Sequence, residues 1–210
     1  QNESGVDCGG FCIPCGERYF LPLKATDINH FILSGGEIAL LAEVVNPNLE
    51  YGASEFDYEF SLYDSEGAVI KKAGGKSFIY PGEIKLVTLP EVEVESAIVE
   101  RAEFRAGNEK LVPGSRMPKP KADIRSLKTE AGAASIKISA VFANLEAVPL
   151  EEAKAIAVLY DSLNKPLVFS ENTFAGLKPF ENREFVINFP KGPWINLVDP
   201  DKTAVFYEAR

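Results

Sequence analysis

The chain has 210 residues, of which 46% are hydrophobic and 25% charged, and its formal net charge is −9. This composition is typical of a folded globular protein, and the length suffices for two ordinary domains. The acidic balance argues against a non-specific hold on nucleic acid or anionic lipid, although a locally basic patch stays compatible with it. We therefore expect no nucleic-acid partner. Apolar runs fall short of the roughly 18 residues that span a bilayer, so we expect no membrane span, and an upstream or downstream anchor is left open.

The first predicted element is a segment, residues 1–20, that holds all three cysteines of the chain: Cys8, Cys12 and Cys15. Their spacing is also used by iron–sulfur clusters, but nothing after residue 20 predicts the α/β barrel that surrounds the clusters of radical enzymes. A zinc site would need a fourth ligand, for which His30 is the only histidine available. Cys12 and Cys15 have redox-motif spacing, without the helix that activates such thiols.

Disulfide bonding is the interpretation we favour for these cysteines, with one thiol left over for an upstream partner or another chain. It implies an oxidising, extracytoplasmic location, and we expect no cofactor. The chain begins with Gln1 rather than methionine, so we expect that processing or sequence design has removed something upstream.

After this segment the same unit occurs twice. Residues 39–70 with 77–90 match residues 135–168 with 173–190 at an offset of about 97 or 98. Corresponding positions are Asn46 and Asn144, the Leu62-Tyr63-Asp64 and Leu159-Tyr160-Asp161 triplets, and Pro81 and Pro179. We predict two homologous domains, residues 21–112 and 122–210, behind the Cys-rich segment and joined by a Pro-rich linker, residues 113–121.

Each unit has the period-two pattern of half-buried strands. Phe56, Tyr58, Phe60 and Leu62 share one face of a predicted strand. A turn follows at 64–67 and again at 161–164, where Asp accepts local backbone bonds and Gly or Asn tolerates positive φ. A Pro-containing turn, a further strand and a closing strand (102–105 or 204–207) complete each unit. The glycines in 34–36 and 73–75 also predict hairpin turns. The fold class is therefore all-β: two tandem antiparallel β-sandwich domains, immunoglobulin-like in size.

Catalytic motifs are missing from the sequence. It has no Gly-x-Ser-x-Gly elbow and no His-Glu-x-x-His, and only His30 could serve as a triad base. We therefore predict no catalytic residue and no enzyme. Asp27, Asp199 and Asp201 are interpreted as turn residues rather than calcium ligands. Trp194 lies in an insertion peculiar to the second unit; a partner contact is one interpretation, and a plug over the end of the sandwich is the other.

The repeated signature resembles the FxLYD domains of bacterial and archaeal envelope proteins, which are similar to the late-embryogenesis-abundant type 2 sandwich. Phe60, Leu62, Tyr63 and Asp64 match it fully, whereas the second copy has Ala157 in place of the first aromatic residue. This resemblance covers nearly all of residues 23–210 and implies a fold and an envelope setting, not a catalytic site.

The opening segment resembles a second known module, the Asp-Cys-Gly-Gly-x-Cys-x-x-Cys module of prokaryotic surface proteins. In that module a further cysteine usually lies upstream, which would explain the odd count here. The prediction is a non-enzymatic, extracytoplasmic envelope protein with a structural, adhesive or protein-interaction role, with other envelope proteins or copies of itself as partners in a surface assembly or filament. The alternative is a ligand- or metal-binding accessory module of a larger envelope complex.

Overall fold

A computed structural model describes residues 20–33, 35–94, 99–132 and 134–210, together with the backbone of 3–5 and 8–9. The regular structure in these residues is all β apart from two single-turn 3-10 helices, Gly114–Arg116 and Pro200–Lys202. The strands are β1 (Glu3–Gly5), β2 (Cys8–Gly9), β3 (Lys24–Ile32), β4 (Ile38–Val45), β5 (Tyr51–Tyr63), β6 (Val69–Ile79), β7 (Ile84–Val92), β8 (Arg101–Gly107), β9 (Leu111–Pro113), β10 (Ala122–Ala131), β11 (Ser135–Asn144), β12 (Leu150–Tyr160), β13 (Pro166–Leu177), β14 (Asn182–Pro190) and β15 (Ala204–Ala209).

After the β1–β2 hairpin, the strands pair in two sets that have the same antiparallel topology. In the first half, sheet I has the order β3-β4-β7 and sheet II the order β6-β5-β8, with β9 added to β5. In the second half, sheet III has the order β13-β12-β15 and sheet IV the order β10-β11-β14. The first, second and fifth long strands of each half therefore form one sheet, and the fourth, third and sixth form the other. The predicted fold class, two tandem antiparallel β-sandwiches, is confirmed.

Each half buries its own apolar core between its two sheets. Phe56, Phe60 and Leu62 on β5 are fully buried in the first core, as their alternation predicted, and Tyr58 packs partly buried against it. Ile136, Ile138, Phe142, Leu159 and Phe189 are among the side chains that fill the second core. Burial of these branched and aromatic side chains from opposing sheets is the main source of stability in such a sandwich.

The repeated asparagine closes one end of each sandwich. Asn46 is 1% exposed, and its Nδ2 donates to the carbonyls of Tyr51 (2.8 Å) and Tyr80 (2.9 Å) while its Oδ1 accepts from the Asn48 amide (3.0 Å). Asn144 makes the same contacts with the backbone of Val148, Lys178 and Glu146. An amide that both donates and accepts can join two loops that would otherwise leave buried backbone groups unpaired.

The repeated aspartate organises the hairpin at the opposite end of each sandwich. Asp64 Oδ1 accepts from the amides of Glu66 and Ala68, and Asp161 Oδ1 accepts from Leu163 and Lys165, at 2.8 to 3.0 Å. The fourth turn residue has positive φ in both copies: 83° at Gly67 and 63° at Asn164. The predicted turn chemistry is therefore confirmed in both halves.

One predicted turn is wrong. Residues 73–75 lie in the middle of β6, where Gly74 pairs with Glu59 and Gly75 with Tyr58. A Cβ at Gly74 would lie 2.0 Å from the Tyr58 carbonyl oxygen, so the glycine allows close approach of two strands rather than a chain reversal. Gly35 and Gly36 do lie in the β3–β4 turn, with φ of 93° at Gly36, while Ser34 lies outside the described residues.

The predicted domain boundaries remain predictions, although the strands are compatible with them: the segment between β9 and β10 contains a 3-10 turn and no strand. Within the part of the chain described, no helix has the length and apolarity needed to cross a membrane.

Candidate functional site

The two sandwiches pack side by side, and their interface is the candidate functional site. The outer face of sheet I contributes Phe31, Ala39 and Leu41, which are buried against Ile156, Val158 and Phe169 from the outer face of sheet III. The rings of Phe31 and Phe169 meet edge to face, with centroids 5.9 Å apart. The layers therefore follow the order II, I, III, IV, and the strands at the centre are covered on both faces.

Beside this apolar contact lies a group of four charges, which we call the interface quartet: Lys85, Lys154, Glu171 and Glu208. Lys85 Nζ lies 3.0 Å from Glu208 Oε2, and Lys154 Nζ lies 3.8 Å from Glu208 Oε1 and 3.6 Å from Glu171 Oε2. Thr88 Oγ1 donates to Glu171 Oε2 at 2.7 Å. Two cations and two anions alternate, so the quartet is neutral as a whole.

Lys85 is the most buried member, with its side chain only 3% exposed. Its Nζ also donates to the Phe78 carbonyl at 2.9 Å and lies 3.6 Å from the centroid of the Phe78 ring. Burial lowers the pKa of Lys85, and the nearby Glu208 carboxylate opposes that shift. A buried amine with a lowered pKa can act as a nucleophile, but here the carbonyl, the ring and the carboxylate all contact it. The arrangement is that of an ionic lock between the halves.

A hydrogen bond between uncharged groups also joins the two halves. The hydroxyl of Tyr80, which directly follows β6, donates to the carbonyl of Ala209, at the end of β15, in a buried hydrogen bond of 2.8 Å. Burial, with the Glu83 charge second, raises the pKa of Tyr80 to about 12. The hydroxyl therefore stays protonated, and able to donate, across the physiological pH range.

Several clefts open along the interface. The first, of about 200 Å³, is polar and includes Tyr58, Lys76, Thr88, Lys154, Glu208 and Arg210 in its lining. The second, of about 420 Å³, lies near the β3–β4 turn and includes Leu33, Pro90, Phe169, Phe189 and Trp194. The third, of about 330 Å³, includes Ile84, Leu86, Ile156, Phe206 and Tyr207. Each is shared by both halves, so docking of the sandwiches creates all three.

Trp194 lies at the wall of the second cleft. Its side chain is 7% exposed and packs edge to face on Phe189, with ring centroids 6.1 Å apart. Gly192 lies under the indole, where a Cβ would come within 2.3 Å of Nε1. The contacts are those of a residue that covers the second core, and its role as a partner contact remains a prediction.

The cysteine predictions fall largely outside the described residues. Cys12 and Cys15 are beyond them, and of Cys8 only the backbone is described, in β2. His30 lies on β3, half-buried, and burial lowers the pKa of its imidazole. Among the residues that the structure describes, no cluster of three or more His, Cys, Asp or Glu could hold a metal ion.

Sequence reasoning missed the interface quartet. One signal was present: Lys85 interrupts the apolar run 84–87, where a lysine must find an anion or reach solvent. Its counterpart in the second half, Arg183, bonds within its own half, to Glu181 at 2.6 Å. The partner of Lys85 lies 123 positions away on the last strand, so no local pattern could identify it.

No protein-family model matches the chain, and no curated protein matches it.

Proposed function

We propose that this chain is a non-enzymatic, extracytoplasmic protein of the cell envelope that acts as a structural, adhesive or protein-interaction module. The observation that carries the proposal is that the residues of the repeated signature form hydrogen bonds within their own half. Asn46, Asn144, Asp64 and Asp161 all form hydrogen bonds with backbone groups of their own half. The residues that make the two units alike serve the fold, as in spacer and binding repeats.

The interface supports the same proposal. A tandem repeat whose units are docked by an apolar contact, a buried ionic lock and a buried hydrogen bond holds its loops in a fixed arrangement. Such a unit suits the presentation of surfaces to a partner. The resemblance to FxLYD domains and to the Cys-rich surface module agrees with this setting and is part of the proposal.

Location is tested in the source cells with an antibody to the chain. We expect external protease to remove the chain from intact cells or from cells whose outer layer has been opened, while a cytoplasmic marker stays intact. Protection of the chain until the cytoplasmic membrane is broken would contradict the envelope location.

The cysteines are tested by intact mass with a thiol-alkylating reagent, on native and denatured chain, with and without reductant. We expect two cysteines to resist alkylation until reduction, with the third free or joined to another chain. If all three alkylate without reduction and the native mass carries a metal, the metal-binding accessory module becomes the better account.

A further inference from the structure

The second cleft of the interface lies where the edge strands of three sheets meet. Its lining includes three consecutive residues of β13, 168–170, and three consecutive residues of β14, 188–190. Successive side chains of a strand point to opposite faces, so a cleft lined by three in a row lies beside the edge of the strand. Val168 packs in the second core and Phe169 in the contact between the halves, which are the two faces of β13. Pro90 belongs to β7, the edge strand of sheet I.

Of these three edges, the one formed by β13 is open to a further strand. Pro90 and Pro190 have no N–H to donate, so they interrupt the edges of β7 and β14 where these border the cleft. In β13 the one proline, Pro166, is the first residue of the strand. Among the described strands, β13 pairs with β12 alone. Its other edge can therefore accept a new partner at the cleft.

A side chain closes the far end of this edge. Arg183, on β14, donates to the carbonyls of Ala175 (3.1 Å) and Gly176 (3.5 Å) on β13. Between Pro166 and this cap, the backbone hydrogen bonds of the described residues on β13 are those of its ladder with β12. The outward N–H and C=O groups of residues 167–173 are therefore available for pairing.

The equivalent edge strand of the first half, β6, has a protection that β13 lacks. It carries Lys71, Lys72 and Lys76, and lysines on an edge strand discourage pairing with another chain. From its first residue to its last, β13 has one charged residue, Glu171, whose carboxylate lies 3.6 Å from Lys154 in the interface quartet. Both versions of the strand build the same topology, so the fold does not require the uncharged edge of β13.

The cleft favours a basic occupant. Its lining includes two carboxylates, Glu37 and Glu91, and one cation, Lys191. Within the part of the chain described, none of the three forms an ion pair. The Glu37 carboxylate lies against Gly35, where a Cβ would come 2.2 Å from Oε2. The net charge of the chain, −9, adds to the attraction of a cationic segment.

The apolar part of the lining suits the side chains of an extended peptide. Leu33, Phe189 and Trp194 lie along the cleft beside the edge of β13. In strand addition the main-chain hydrogen bonds provide affinity, and alternate side chains enter pockets that provide specificity. A cleft of about 420 Å³ has the size of a ligand site. Because it lies between sheets, it admits one extended segment more readily than the edge of another folded sandwich.

We propose that β13 accepts an extended segment of a partner protein as an additional strand along residues 167–173. An apolar side chain of the segment lies against Trp194, and its basic side chains lie near Glu37 and Glu91. The inference specifies the protein-interaction role proposed above and rests on it. The location experiment does not involve the cleft, so either experiment can fail while the other succeeds.

The first test uses seven-residue peptides in which lysine alternates with valine or leucine, added to the full chain in reducing buffer. Trp194 is the only tryptophan of the chain, so its fluorescence reports directly on the cleft. We expect the emission to shift as the peptide binds, and hydrogen exchange to slow in the outward amides of residues 167–173. If neither changes at millimolar peptide, the proposal is wrong.

The second test separates strand addition from contact through side chains alone. The same peptides are N-methylated at either one of the two alternate sets of residues. Because alternate N–H groups of a strand point to the same side, we expect one methylated set to abolish binding and the other to be tolerated. Equal affinities for the two methylated sets would contradict pairing with β13.

The third test concerns the charge of the occupant. We expect the double variant Glu37→Gln, Glu91→Gln to bind the lysine peptides about fivefold more weakly, as for the loss of two exposed ion pairs. The matched control is Glu66→Gln, Glu151→Gln, which makes the same change of charge at two exposed residues outside the lining of the cleft. Thermal unfolding shows that both variants are folded. Equal affinities in the two double variants would exclude recognition of a basic segment by Glu37 and Glu91.

Discussion

At the scale of single residues, the repeated asparagine is a structural tie between loops. Asn46 and Asn144 are 1% and 2% exposed, and each joins two backbone carbonyls and one backbone amide. The sequence alignment marked these positions as equivalent without showing their role, because their partners lie up to 34 positions away. The aspartate turns were predictable because their partners are local.

Replacing Asn46 by alanine removes these bonds and leaves buried backbone groups without partners. We expect Asn46→Ala to lower the free energy of unfolding by about 2 to 3 kcal/mol, the sum of a few buried hydrogen bonds. Urea denaturation measures it, with Asn188→Ala, an exposed position on β14, as the matched control. A loss below about 0.5 kcal/mol, the usual range for surface substitutions, would show that the tie is dispensable.

At the scale of elements, the outer face of sheet II is a ladder of charged pairs. Glu55 lies 2.8 Å from both Lys76 and Lys110, and Glu59 lies 2.7 Å from Lys72. This face is mostly charged, unlike the apolar outer faces of sheets I and III that dock on each other. The ladder therefore ends the stack of sheets on that side, and an assembly of copies would need loops, edges or cysteines rather than this face.

The ladder predicts a loss of stability in acid. Hydrogen bonds from Lys110 and then Lys76 lower the pKa of Glu55 from 4.5 to about 2, and hydrogen bonds from Lys72 and Arg101 lower the pKa values of Glu59 and Glu103. Because the pKa of Glu55 is lower in the folded state, its contribution is complete above about pH 4.5 and is lost as pH falls through about 2, and the lowered pKa values of Glu59 and Glu103 act in the same direction.

Urea midpoints measured across this pH range check the prediction, with Glu55→Gln as the comparison. We expect the midpoint of the wild type to fall more steeply with acid than that of the variant, and raised salt to reduce the difference. Equal slopes would show that Glu55 titrates in the folded state as it does in the unfolded chain.

Strand positions were predictable from the sequence wherever one face of a strand is apolar, as on β5. Gly74 and Gly75 misled the prediction because a glycine that admits a neighbouring backbone has the same local signature as one that turns the chain. On β4 the run 38–45 is apolar on both faces apart from Glu43, and all but two of its residues are buried. That pattern indicates a sheet covered on both sides, but it does not say by what.

At the scale of the whole molecule, the interface quartet decides whether the halves act as one body. The apolar contact between sheets I and III would tolerate several registers, whereas Lys85 and Glu208 must meet for either charge to be buried. An ion pair of this kind is weak evidence for net stability and better understood as a means of fixing one arrangement.

Glu208→Gln tests this role, because it leaves the 3%-exposed Lys85 ammonium without its anion. We expect a loss of about 3 kcal/mol in the free energy of unfolding, as for other buried pairs broken on one side. The double variant Lys85→Met, Glu208→Gln should recover most of it, because the uncompensated charge is gone. Glu152→Gln is the control: its bridge to Arg210 lies within the second half, and the two side chains are 44% and 57% exposed, so we expect a change below about 0.5 kcal/mol. Additive losses in the double variant would show that the two charges do not depend on each other.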